Sequence, residues 1–191
     1  MAMPGLSCAQ PKGEPFVVGY VGQVASPGTR PCMDIQKMAA EEINAAGGIL
    51  GRPLKYIVMD GKGDTSLSVE AFRKLIIEDK AKFVSVEGRT EICLAIQEAS
   101  GMLFKEYPHI LVFNGPMGSE LTARILDEPG KYDHCFRDWD PEPGHYAQQK
   151  YFFCTTYRKP PQVYNKMAFL WEDLAWTTEW RKGISYINLP T

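Results

Sequence analysis

Apolar residues along the chain fall into short runs separated by amphipathic stretches and turn signals. V-V-G-Y-V-G-Q-V at residues 17 to 24 is rich in valine and bounded by Pro15 and by A-S-P-G, the pattern of a buried strand that starts near residue 16. An amphipathic helix follows Thr29, with Pro31 suited to its first turn, where a missing N–H is no loss. Ile35, Met38, Ala39, Glu42, Ile43 and Ala46 recur at helical spacing and mark its expected packing face. Gly47 and Gly48 supply the left-handed backbone of a C-terminal cap, and Pro53 keeps the helix from resuming. L-K-Y-I-V-M (54 to 59) is the second strand, and D-G-K-G-D-T-S is a turn whose Asp64, Thr65 or Ser66 can cap a helix over about 67 to 79. That helix places Val69, Phe72, Leu75 and Ile76 on one side. F-V-S-V (83 to 86) is a third strand, E-G-R-T turns into a third helix carrying Ile92, Ala95, Ile96, Ala99, Met102 and Leu103, and I-L-V-F (110 to 113) is a fourth strand ending in N-G-P-M-G.

Four strands alternating with three helices predict an α/β fold, a doubly wound parallel sheet with right-handed crossovers and the first strand central. Ligands of such sheets bind outside the carboxyl ends of the strands, where helix N-termini present free N–H groups and partial positive charge. The candidate site is therefore the loops after strand one (25 to 30), strand three (87 to 90) and strand four (114 to 117). Ser26, Thr29, Arg89, Thr90 and Asn114 populate that rim. Thr90 either only caps the third helix or also offers its hydroxyl to a ligand, and Arg89 either supplies a formal charge or faces water. Asn114 and Gly115 are what a tight turn needs in any case.

Composition narrows the partners. A net charge of −2 in 191 residues, with no cluster of lysine and arginine, gives no footprint for nucleic acid. No apolar run is long enough to span a bilayer. Residues 1 to 14 lack the charged start and apolar middle of a signal peptide and read as a disordered leader. The five cysteines form no C-x-x-C motif, and buried free thiols are the expected state of Cys32 and Cys93. His109, His134 and His145 are scattered, so no metal and no other cofactor is expected. G-G-I-L-G follows a helix rather than a strand, and D-G-K-G-D-T-S lacks the phosphate-loop spacing. With no G-x-S-x-G and no paired histidines, no catalytic residue is assigned and an enzyme is not expected.

The string A-A-E-E-I-N-A-A-G-G-I-L-G-R-P-L, followed by D-G-K-G-D, K-L-I-I-E-D-K and M-G-S-E-L-T, resembles the type 1 periplasmic binding proteins, in particular the substrate-binding proteins of ABC importers for branched-chain and other hydrophobic amino acids, amides or urea. The resemblance runs from about Phe16 to the C-terminus and implies two α/β lobes that close on a ligand like a Venus flytrap. It implies that Thr90 offers a hydroxyl to the ligand carboxylate, that Gly115, Pro116 and Met117 form a contact loop, and that Trp176 of the second lobe covers the ligand. R-T-E stands where the family has adjacent hydroxyl residues, and Met117 where threonine or serine is commoner, which departs from a standard aliphatic amino acid site.

On this reading residues 15 to 138 form the N-terminal lobe and 139 to 191 a crossover and the beginning of an incomplete second lobe, with Y-D-H-C-F-R-D-W-D-P-E-P as the first crossing. Phe169, Trp171, Trp180 and Ile184 would then leave an uncovered apolar surface. The expected function is the extracytoplasmic capture component of an importer, periplasmic or extracellular or membrane-anchored in a full-length parent, with a permease as partner. The expected solute is a small amino acid or another carboxylate-bearing molecule, because an arginine beside a helix N-terminus favours a carboxylate. The alternative is the ligand-sensing domain of a receptor or regulator of the same fold.

Overall fold

A computed structural model describes residues 11–139 and, beyond them, Gly144, Gln148, Tyr151, Phe152, Asp173, Leu174 and Thr177. Strand β1 (Phe16–Gly22) leads to α1 (Thr29–Ala45), β2 (Leu54–Asp60), α2 (Thr65–Ile77), β3 (Phe83–Glu87), α3 (Thr90–Leu103), β4 (Ile110–Asn114), α4 (Glu120–Asp127) and β5 (Cys135–Arg137). All five strands are parallel, in the order β2-β1-β3-β4-β5. The alternation of strand and helix places helices on both faces, as parallel sheets require.

Register makes the two faces chemically different. Val21 pairs with Val86, Val84 with Leu111 and Val86 with Phe113, so these side chains share one face. Against them pack Phe72, Leu75 and Ile76 of α2 and Ile92, Cys93, Ile96 and Ala99 of α3, forming the apolar core. Asp64 caps α2 by accepting from Leu67 N at 2.9 Å. The opposite face is polar where α1 lies on it: Tyr56 donates to Gln36 Oε1 (3.2 Å), and Gln36 Nε2 donates to Ser85 Oγ (3.3 Å). Asn44 exchanges two hydrogen bonds with the backbone of Leu54 and so ties the end of α1 to the start of β2. Gly47 and Gly48 end the helix at φ 104° and 75°, and a Cβ on Gly48 would lie 2.0 Å from Arg52 O.

The structure corrects several expectations. The buried stripe of α1 is Thr29, Met33 and Ala40, with Gln36 and Asn44 partly buried between and after them; Ile35 and Met38 are 64% and 58% exposed, and Ala39, Glu42, Ile43 and Ala46 are exposed too. Polar residues turn inward because the face beneath them offers hydrogen-bond partners. On α3, Met102 is likewise exposed (65%) while Ile92, Ile96 and Ala99 are buried. The first strand is interior, but β3 holds the middle of the sheet. Helix α4 and strand β5 were not expected from the pattern, and β5 shows that Cys135–Arg137 within the stretch read as a crossing belongs to this sheet. Among the described residues no helix is long and apolar enough to cross a membrane.

Candidate functional site

At the carboxyl ends of β1, β3 and β4 the loops enclose a cleft of about 310 Å³, near the lower end of small-molecule pockets, roughly 300 to 1,000 Å³. Ser26 and Thr29 reach it from the first loop, Glu87, Gly88, Arg89 and Thr90 from the third, and Asn114, Gly115, Pro116 and Met117 from the fourth. All eight first-lobe positions expected at the rim therefore meet in one place. Gln23, Gly63, Ser68 and Ile92 also line it, and the sequence had not singled them out for this.

The third loop is the chemical centre. Helix α3 begins with Thr90, and its first internal hydrogen bond runs from Cys93 N to Arg89 O (3.1 Å), so the N–H groups of Thr90 and Ile92 in its first turn lie outside the intrahelical ladder. Arg89 occupies the cap position and makes no side-chain cap bond. Thr90 thus does not cap α3 as expected. It is 1% exposed, and its Oγ1 accepts from Gly118 N at 3.1 Å, joining the third loop to the fourth. A Cβ on Gly118 would lie 2.4 Å from Thr90 Cγ2, so only glycine permits this approach. Arg89 is exposed and donates from Nη2 to Gly63 O (3.0 Å), which anchors the guanidinium at the mouth of the cleft.

Glu87 supplies the opposite charge. Its Oε2 accepts from the Tyr20 hydroxyl at 2.5 Å and its Oε1 from Thr29 Oγ1 at 3.3 Å. Burial raises the Tyr20 phenol above its ordinary range, and the neighbouring Glu87 adds to the shift. Cys32 is pushed up for the same two reasons in the same order. Beside this group, Asn114 links Ser85 Oγ (2.7 Å) to Asp138 Oδ2 (3.0 Å) in the amide orientation that satisfies both ends.

Arg137 on β5 holds the fourth loop from outside the cleft. Its Nη1 donates to Gly118 O (2.7 Å) and its Nη2 to Thr122 Oγ1 (2.9 Å). Nothing in the sequence marked this residue, because its partners lie nineteen and fifteen positions away. Trp176, expected to cover the ligand, lies outside the described residues, as do Phe169, Trp171, Trp180, Ile184 and His145.

Two of the three histidines read as scattered, His109 and His134, meet in the fold. His109 and His134 converge on Ser100, each with Nε2 at 2.7 Å from its Oγ, on the far side of the sheet edge from the cleft loops. Among the described residues no group of histidine, cysteine, aspartate and glutamate could hold a metal ion. Cys93 and Cys135 are buried free thiols, and Cys32 is free and partly exposed.

The family model described as periplasmic binding protein matches residues 16–120. An amino acid binding protein of Pseudomonas aeruginosa is 31% identical over 100 residues, covering 52% of this chain and 25% of the relative. Among solved structures, the branched-chain amino acid transporter substrate-binding protein of Streptococcus pneumoniae, in complex with isoleucine, superposes with a TM-score of 0.60 at 18% identity, over 76% of this chain and 39% of its own. A solute-binding protein of an ABC transporter from Rhodopseudomonas palustris, in complex with 4-hydroxybenzoate, gives 0.50 at 17% identity, over 72% and 36%. The chain spans a quarter to two fifths of the length of these relatives.

Proposed function

The chain belongs to the periplasmic binding protein family, and from that premise we propose that it contributes the first-lobe wall of a cleft that captures a small amino acid or related carboxylate for an ABC-type importer. The observation that carries the proposal is the third loop: the start of α3 at Thr90 and Ile92, the buried Thr90 hydroxyl and the Arg89 guanidinium converge on one cleft. A carboxylate there accepts charge-assisted hydrogen bonds and lies on the positive end of the helix dipole. Gly115, Pro116 and Met117 form the adjacent wall against the remainder of the solute. Isoleucine and 4-hydroxybenzoate, held by the two structural relatives, both carry a carboxylate, which supports the same class here.

In this proposal residues 15–138 act as one lobe, the segment from 139 onward opens a second, and Trp176 approaches the solute from that side. The site of action is periplasmic or extracellular, and a membrane permease receives the solute. Thermal-shift measurements with α-amino acids, simple carboxylates, dicarboxylates, amides and urea test it. A ligand at a hundred times its Kd stabilises by about 2.7 kcal/mol, a rise of about 5 to 10 °C. Carboxylates should produce this rise, and Thr90→Val and Arg89→Ala should reduce it. Preference for a neutral amide or urea, unchanged by both substitutions, would overturn the carboxylate assignment.

A further inference from the structure

At the amino ends of β1, β3, β4 and β5, the end of the sheet opposite the cleft, lies a second cavity of about 960 Å³, about three times the volume of the first. The two share no lining residue. Aromatic rings dominate the walls: Phe16, Phe104, Tyr107 and Phe136 line the cavity, and Phe136 and Ile110 are 53% and 44% exposed there. Its charges nearly balance, with Arg52, Lys55, Lys80 and Lys82 against Glu14, Asp79 and Glu106. Arg52 and Lys82 already donate to the carbonyls of Glu14 and Pro108, so the wall gives an ion little advantage over a neutral molecule. What the wall lacks is a hydrogen-bond donor. Among the described residues, Asp79 Oδ2 and His134 Nδ1 are buried without a partner, and both residues line this cavity. His134 as a whole is 5% exposed. Its Nδ1 is an acceptor, because His109 Nδ1 donates to the Tyr107 carbonyl, His109 Nε2 accepts from Ser100, and Ser100 Oγ accepts from His134 Nε2–H. A bare acceptor among apolar walls costs free energy until a donor reaches it.

We propose that this cavity is a second binding site, independent of the cleft, for an uncharged aromatic compound bearing a hydroxyl, whose O–H donates to His134 Nδ1. The imidazole is fixed before the compound arrives. Phe104 stacks on it at 3.8 Å between ring centroids and Ser100 holds its other nitrogen, so little ordering remains for binding. The aromatic body of the compound lies against Phe136 and Ile110 and removes their exposed apolar surface from water. An ether of the same shape fills the same space and leaves Nδ1 unpaired, which sets the selectivity of the site.

Phenol is the smallest probe of this class, anisole carries the same ring without the donor, and benzoate replaces the donor with a charge. Titration of the isotopically labelled chain with each, followed by backbone amide NMR at about pH 7.5, where phenol is uncharged, tests the assignment. Phenol should shift the amides of Val17, Ile110, His134 and Phe136 in a saturable manner and leave those of Gly88 and Gly115 in place. Anisole and benzoate should bind about ten-fold more weakly, the scale of one hydrogen bond to a buried acceptor. His134→Phe keeps the stacked ring and removes the acceptor, and should bring phenol to the affinity of anisole. Phe136→Ser changes an exposed wall residue, and should weaken phenol and anisole alike. If His134→Phe fails to fold, the three probes on the unsubstituted chain and on Phe136→Ser decide the matter. Anisole or benzoate binding as tightly as phenol, or phenol binding unchanged in Phe136→Ser, would overturn the assignment. So would phenol shifts confined to the cleft, or no saturable shifts at all.

Discussion

Ser100 joins two buried histidines, and acidification is the perturbation that parts them. His109 Nδ1 lies 2.6 Å from the Tyr107 carbonyl, which only accepts, so this nitrogen carries the hydrogen. Neutral His109 therefore accepts the Ser100 hydroxyl at Nε2, and Ser100 Oγ in turn accepts from His134 Nε2–H. His134 Nδ1 is left bare, in agreement with its having no hydrogen-bond partner. The His134 ring stacks on Phe104 at 3.8 Å between centroids and is 5% exposed. Burial, reinforced by neighbouring His109, lowers His134 from 6.5 to about 4, with Asp133 opposing weakly. His109 is lowered as well, by burial and by Lys82, against the Tyr107 hydrogen bond. Between pH 6.5 and about 4 the unfolded chain binds a proton at His134 that the folded chain refuses, so stability is complete above 6.5 and is lost as pH falls toward 4. The shift corresponds to about 3 kcal/mol, of which about 2 kcal/mol is lost by about pH 5. Urea unfolding followed by circular dichroism at about pH 7.5 and pH 5 measures this. His134→Gln, which keeps a donor for Ser100 and cannot be protonated, should lose less than half as much over the same interval. Equal stability of the unsubstituted chain at both values, or an equal loss in the variant, would refute the tautomer chain.

Three further outcomes follow from the packing. Ile35→Ser and Met38→Ser should change unfolding free energy by no more than about 0.5 kcal/mol, while Leu75→Ala in the core should cost about 2 to 5 kcal/mol in the same urea titration. Arg137→Ala should loosen the fourth loop, read as faster amide hydrogen exchange at Gly118 and Ser119, with β1 and β2 unchanged. Gly118→Ala should destabilise by about 1 to 3 kcal/mol through its clash with Thr90, and pairing it with Thr90→Ser, which removes the obstructing methyl, should restore part of the loss.

What the sequence revealed depended on how directly apolar spacing reported burial. β1 to β4 and α2 were legible because valine-rich runs and the Asp64 cap coincide with the apolar face of the sheet. The position of α1 was legible and its orientation was not. Thr29 and Gln36 face inward because the sheet beneath them carries Ser85, Tyr56 and Glu87, and Asn44 because it bonds the backbone of Leu54, so the apolar stripe marks the side turned away from the sheet. β5 has three residues and α4 eight, too short for periodicity to emerge. The rim of the cleft was readable from topology alone, since the carboxyl ends of parallel strands must share one edge. The roles within it were not. Thr90 turned out to bridge two loops, Arg137 and Glu87 act through partners distant in sequence, and the histidines meet across 25 positions.

The measurement that bears most directly on the cleft as a solute site is a titration of the isotopically labelled chain with leucine, followed by backbone amide NMR. The account predicts that the amides of Gly88, Arg89, Thr90, Glu91 and Ile92 shift together with those of Gly115 and Met117, in a saturable manner and with a single Kd. Shifts confined to the opposite end of the sheet around His109 and His134, or no saturable shifts at all, would contradict it.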